Sequence, residues 1–255
     1  GNALVAQHYG RKELHRCPQV LTQGVILSVV AQPALLLLAW PMRYSFEWMG
    51  HAPEQVALEQ TYFMTMVAGG VLFLIKTVFA SYFSGTGHTR VVMIADVIGG
   101  LLNIPLTYAL VFGRFGLPSL GIAGAALATV AAAALTIGVY LLFYLNAIHA
   151  RRFAVRDSLL YVPGIMRRYV RLGLPSGFEL FIGMGTFNVF LLLFQSYGIA
   201  EGAAMAIVFN WDMVSFVPLM GLSIAVMSMT GRFVGAGDMA RSNEVITAGF
   251  LLGAT

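Results

Sequence analysis

Apolar stretches of about 20 residues or more recur along the chain, separated by short linkers that hold Gly, Pro and most of the charge. At 1.5 Å per residue, a helix of about 20 residues crosses a hydrocarbon core roughly 30 Å thick. The pattern predicts spans near residues 18–40, 57–83, 88–112, 119–147, 173–195 and 202–230. A seventh apolar run begins near 242 and stops within a few turns of the last residue. The expected fold is all-α, a polytopic transmembrane helical bundle. The linker over 150–172 is long and basic. Within it, 158–172 is amphipathic: Arg167, Arg168 and Arg171 cluster, and Leu159, Ile165, Met166 and Val170 form an apolar set. It reads either as an element lying in the inner interface or as an ordinary basic loop.

Cations fix the orientation. If six spans alternate sides, 12 Lys and Arg fall in linkers on one side and only Arg43 and Arg114 on the other, with Lys76 inside a span. Basic linkers stay in the cytoplasm. The opposite side carries Glu47, Glu54, Glu59 and Glu201, and Trp40, Tyr44, Phe46 and Trp48 mark its interface as an aromatic belt would. With 58% apolar and 10% charged residues the chain lacks the charge to cover a water-soluble surface. That excludes a cytosolic enzyme, a nucleic-acid binder and a disordered chain. The formal charge of +4 is that of a membrane protein with basic cytoplasmic loops. One cysteine, Cys17, excludes an intrachain disulfide and a Cys-based metal site.

Residues 4–29 and 229–254 match at an offset of 225: Gly10, Arg16, Val20, Thr22, Gly24 and Leu27 meet Gly235, Arg241, Val245, Thr247, Gly249 and Leu252. Each stretch is a glycine turn, a charged loop and the start of a span. Six helices separate them, an even number, so the repeat is parallel in the membrane. The alternative is that glycine turns simply recur in cytoplasmic hairpins. The repeat predicts two parallel halves, six helices each in a parent protein of which this chain is an internal segment. Residues 1–150 then form the first lobe, 151–172 the cytoplasmic linker, and 173–255 the start of the second lobe.

Ionisable groups inside a bilayer cost roughly 2.5–3.5 kcal/mol at a helix centre. Lys76, Asp96, Glu179 and Asp212 stand out. Asn103 and Thr107 each fall within about 20° of Asp96 on a helix and the three make a polar stripe, with Pro105 beside it. The stripe is either a cavity wall or a set of interhelical hydrogen bonds. Lys76 and Asp96 each lie ten residues from the midpoint of the 84–88 turn. They share a depth and either pair across neighbouring helices or leave Lys76 to snorkel inward. Glu179 shares a face with Gly183, Thr186 and Phe190, with Asn188 opposite; Asp212 shares one with Val208, Ser215 and Leu219, with Asn210 opposite. An inward carboxylate can release and regain a proton as its surroundings change; the alternative is structural hydrogen bonding or an interfacial position. The small-residue run Gly121–Ala133 reads as close helix packing. The five histidines lie in or beside linkers, and no nucleophile–base pair, metal cluster or phosphate loop is visible. The expectation is a protein without catalytic residues, metal or cofactor.

Ordered motifs running almost the whole chain resemble the multidrug and toxic compound extrusion (MATE) family. Asn103-Ile104-Pro105-Leu106-Thr107-Tyr108, then Gly113 to Gly116-Leu117-Pro118 and Gly121 to Thr129, resemble the family's fifth and sixth helices. Gly173-Leu174-Pro175-Ser176-Gly177 resembles the start of its seventh. Asn210 through Phe216-Val217-Pro218 to Gly235-Ala236-Gly237 resembles its eighth helix and the loop after it, and Gln7–Gly10 the matching loop of the first half.

The resemblance implies export of organic cations or amphipathic compounds in exchange for protons or sodium by alternating access. It implies a monomer in the bilayer, in a bacterial inner membrane, with a small-molecule partner and no nucleic acid. Glu179, Asp212 and Asp96 are the implied coupling residues, and Asn103, Thr107, Asn188 and Asn210 the implied cavity residues. Many members carry Asp or Asn where this chain has Thr107, so Asp96, on the same stripe, is the substitute. Many carry an acid at the position of Gly183, so Glu179, one turn earlier, takes that role. Two further readings are a lipid-linked oligosaccharide flippase of the same superfamily, which would favour a strongly cationic cavity, and purely structural roles for the polar residues.

Overall fold

The computed structural model describes residues 1–49 and 52–254, without the side chains of 49, 156, 157, 192, 195, 196, 199–203 and 206. Glu201, assigned to the outer side, and Arg156, counted among the inner cations, fall among those side chains. The described residues are helical: α1 (Asn2–Gly10), α2 (Arg16–Met42), α3 (Pro53–Ala68), α4 (Gly70–Gly85), α5 (Thr89–Phe112), α6 (Gly121–Tyr144), α7 (Ala147–Phe153), α8 (Pro163–Tyr197), α9 (Ile199–Ala236) and α10 (Met239–Gly253). Five helices are long and apolar enough to cross a membrane, six if the bent α3–α4 pair counts as one. The all-α transmembrane bundle and its six spans therefore hold.

Two elements differ from the expected pattern. The continuous apolar run over 57–83 bends by 46° between α3 and α4. Gly69 sits at the break, where a Cβ would collide with Val130 of α6. A break frees backbone carbonyls that lipid cannot satisfy. Gln32 of α2 supplies the missing donor: its Nε2 bonds the carbonyls of Val67 at 2.8 Å and Ala68 at 3.3 Å. The second difference lies at 158–172, which forms no separate interfacial helix. From Pro163 onward it is the first turns of α8, continuous through Pro175 into the span. It rests on the first half of the chain: Arg168 Nη2 donates to Gln7 Oε1 at 3.1 Å, and Gln23 Nε2 to the Leu160 carbonyl at 2.9 Å.

The densest packing is in the first half. Gly124, Ala128, Ala132 and Ala133 are buried on α6. A Cβ at Gly124 would strike the Leu110 carbonyl of α5, and one at Gly99 of α5 would strike Thr136 of α6. The small-residue run is a close-packed seam, as expected. Below it, Phe79, Tyr82 and Phe83 of α4 stack with Tyr140 and Tyr144 of α6 and with His149 and Phe153 of α7 at centroid distances of 4.5–6.1 Å.

The repeat is visible bond by bond. In the first half, the Lys12 amide donates to the Tyr9 carbonyl and the Glu13 amide to the His8 carbonyl, both at 3.0 Å. In the second half, Gly237 donates to Val234 at 3.2 Å and Asp238 to Phe233 at 2.9 Å. These are the same two bonds shifted by 225 positions, the pair that closes a helix through a left-handed residue. That residue is Lys12 at φ 60° and Gly237 at φ 80°. The ion pair that follows is repeated too: Arg16 to Glu13 at 3.6 Å and Arg241 to Asp238 at 3.4 Å.

The two repeats also meet. α1 packs along the last turns of α9. A Cβ at Gly10 would collide with the Arg232 carbonyl, and one at Gly235 with the Gln7 carbonyl. Since Gly10 corresponds to Gly235 and Gln7 to Arg232, these are one contact made twice. Gly231 corresponds to Ala6, and a Cβ placed on it would lie 2.8 Å from the Ala6 Cβ. The two halves are thus related by a twofold axis that passes between Ala6 and Gly231, the reciprocal pattern of an isologous interface.

Candidate functional site

Lys76 of α4 and Asp96 of α5 form an ion pair, Nζ to Oδ1 3.1 Å. The equal distance of both residues from the 84–88 turn produces this register. Of the two arrangements open from sequence, the structure takes the pair. Neither side chain is buried within the described chain, at 34% and 44% exposure, so the pair lines a surface rather than a core. Further along the stripe, Thr107 Oγ1 donates to Asn103 Oδ1 at 3.4 Å within α5. Both are half-buried, and α5 packs chiefly on α6 and α4.

The second-half residues lie on α8 and α9. Glu179 and Asp212 are exposed, with no hydrogen bond or ion pair to any described residue. Asn188 is exposed and turns its Nδ2 back to the Met184 carbonyl at 2.8 Å, and Asn210 is exposed and has an interaction partner. Phe187 of α8 and Phe209 of α9 bring the two helices together at a centroid distance of 4.6 Å. The sequence-predicted residues thus form two groups, one on α4–α5 and one on α8–α9, and no direct contact joins them. Between the halves an apolar cleft of about 640 Å³ opens between Leu27 of α2 and Tyr169, Gly173, Gly177, Phe178 and Phe181 of α8. Glu179 directly follows Phe178 but does not line this cleft.

Sequence reasoning missed Gln23, Gln32 and Arg232. The two glutamines sit inside an apolar span, and that placement is itself a signal of an interhelical bond. Arg232 was counted as a loop cation. Its guanidinium instead lies 4.7 Å from the Tyr9 ring centroid and fills the place where a Cβ at Gly87 would go. This end, which carries the basic linkers, is electropositive. Burial, then neighbouring His88 and Arg152, push the His149 imidazole down to about 4. Burial, then Arg152 and Arg232, lower His88. The Glu13 carboxyl is held below its usual range, first by its hydrogen bond with His8 at 2.7 Å and less strongly by Arg16. Among the described residues no three His, Cys, Asp or Glu side chains converge as a metal site requires.

Comparison with known proteins agrees with this architecture. The MatE family model matches residues 1–109 and 175–255. A protein of Thermotoga maritima named "Probable multidrug resistance protein NorM" is 30% identical over 197 residues, which cover 75% of this chain and 41% of that protein. A solved MATE structure in the straight conformation superposes at TM-score 0.83 with 22% identity, covering 99% of this chain and 56% of that one. The eukaryotic MATE transporter AtDTX14 superposes at TM-score 0.81 with 17% identity, covering 98% and 55%. The chain therefore spans about half the length of the proteins it matches. The family model covers both halves of the repeat and most of the chain, so the protein belongs to the MatE family of multidrug and toxic compound extrusion transporters.

Proposed function

We propose that the full-length protein is a secondary active antiporter that exports cationic or amphipathic compounds in exchange for protons or sodium. The observation that carries this reading is the reciprocal α1–α9 contact. Two halves that touch through small residues on a twofold axis can rock against each other without either core repacking, which is what alternating access requires. The carboxylates supply the coupling. Glu179 and Asp212 are exposed on apolar helices and have no partner among the described residues. A carboxylate in that position is stable only as the neutral acid, with a bound cation, or facing water, and exchange among these states is ion coupling. Asp96 is held by Lys76 and couples only when that pair opens. Asn103 and Thr107 on α5, Asn188 on α8 and Asn210 on α9 offer polar contacts to cargo. Of the four ionisable groups that stand out in the span interiors, Asp96, Glu179 and Asp212 are acids and Lys76 alone is a cation, a balance that favours cationic cargo over an anionic lipid-linked sugar. The protein acts as a monomer in a bacterial inner membrane.

The test is efflux of a fluorescent organic cation from vesicles holding the full-length protein, under a proton gradient and a sodium gradient applied separately. Efflux driven by one gradient and abolished by its collapse is the expected result. Equal efflux with neither gradient present contradicts antiport.

A further inference from the structure

At the cytoplasmic end of the α1–α9 contact lies a cavity of about 420 Å³, lined by Tyr9, Lys12, Arg152, Arg232 and Phe233 among others. Its three cations come from three separate places: Lys12 from the α1–α2 turn, Arg152 from α7 and Arg232 from α9. No acid lines it. Two described carboxylates near it along the chain are already committed, Glu13 to His8 and Arg16, and Asp238 to Arg241 and the start of α10. Arg232 Nε and Nη2 are enclosed and without a hydrogen-bond partner. Enclosed guanidinium donors left unmet are costly unless a charge compensates them.

The repeat sharpens the point. The residue equivalent to Arg232 in the first half is Gln7, a neutral side chain that accepts a bond from Arg168. The second half places a cation there and supplies no counter-charge from the described chain. Arg232 lies four residues before the end of α9, about 6 Å above it, at the depth of a headgroup region. Three convergent cations at that depth, with an aromatic wall and no acid among the described side chains, match the chemistry of a phosphate group.

We propose that this cavity binds a phosphate-bearing anion, which bridges Arg232 of the second half to Lys12 and Arg152 of the first. The bound anion neutralises the cationic cluster and holds α9 against α1 at the cytoplasmic side. Binding does not depend on what the protein transports, so it is measured without a transport assay.

The full-length protein in detergent is titrated with phosphatidylglycerol, with phosphatidylcholine and with inorganic phosphate. Bound lipid is counted by native mass spectrometry, and the unfolding midpoint is followed for all three. The proposal predicts that phosphatidylglycerol or inorganic phosphate is held and raises the midpoint, while phosphatidylcholine does neither. Lys12 and Arg152 are exposed, so the K12Q/R152Q variant keeps the fold and weakens that binding about tenfold or more. Response to phosphatidylglycerol alone assigns the site to an anionic lipid; response to inorganic phosphate assigns it to a phosphate group in general. Equal retention of the two lipids with no phosphate effect overturns the proposal, as does wild-type affinity in the double variant.

Discussion

Asp96 and Glu179 are two acids in apolar helices with opposite surroundings. Asp96 has a cation 3.1 Å away, whereas Glu179 has no partner among the described residues. The shared depth of Lys76 and Asp96 was legible from sequence, because a short turn forces residues at equal distances on its two sides to one depth, while their pairing was one of two arrangements left open. The environment of Glu179 was not legible, because it depends on helices far apart in the chain. Glu179→Gln keeps the shape and removes the charge cycle. It is expected to lower gradient-driven efflux by about tenfold or more at matched expression, and wild-type efflux would show that coupling runs elsewhere. A second residue-scale prediction concerns His149, whose Nε2 is hydrogen-bonded to the Tyr82 hydroxyl at 2.9 Å. Its imidazole titrates near 4 in the fold and near 6.5 in an unfolded chain. Between those values the unfolded state takes up a proton that the folded state refuses, so stability is full above about pH 6.5 and falls as pH drops toward 4. The unfolding midpoint of the full-length protein should decline over that window. His149→Gln, which keeps an acceptor for Tyr82, should flatten the decline.

At the scale of elements, periodicity and small residues carried most of the reading. Spans read from apolar length coincide with α2, α5, α6, α8 and α9, and the glycine–alanine run is the α5–α6 seam. What escaped was the break at Gly69 and the continuity of α8. The residues around Gly69 are uniformly apolar, and the side chain that stabilises the break, Gln32, belongs to another helix. The charges of 163–172 have the pattern of an interfacial segment, yet they fall on a helix that packs against α2, bonds Gln7 of α1 through Arg168 and continues into the span. Packing at the seam is directly testable. A side chain at Gly99 collides with Thr136, whereas the neighbouring Gly100 faces open space. Gly99→Val should destabilise the protein by about 1–3 kcal/mol through overpacking. Gly100→Val should leave the thermal midpoint close to wild type. Equal effects would remove the seam from the account.

For the whole molecule, the decisive relation is the twofold axis between Ala6 and Gly231. Six identities at an offset of 225 announced a repeat, and the structure adds that its two copies grip each other through Gly10, Gly235 and the carbonyls opposite them. No sequence pattern could show that contact, since it joins residues more than two hundred positions apart and uses backbone atoms. Gly235→Leu should separate α1 from α9 and weaken closure at the cytoplasmic side, which would appear as faster labelling of a cysteine placed at Ala6. The most direct measurement uses spin labels on Arg11→Cys and Met239→Cys, two exposed positions flanking the contact, with buried Cys17 replaced by Ala. Double electron–electron resonance of the full-length protein should give two distance populations that exchange weight when pH or sodium changes. A single distance, the same under every condition in a preparation that still transports, would contradict the rocking of two halves about α1 and α9.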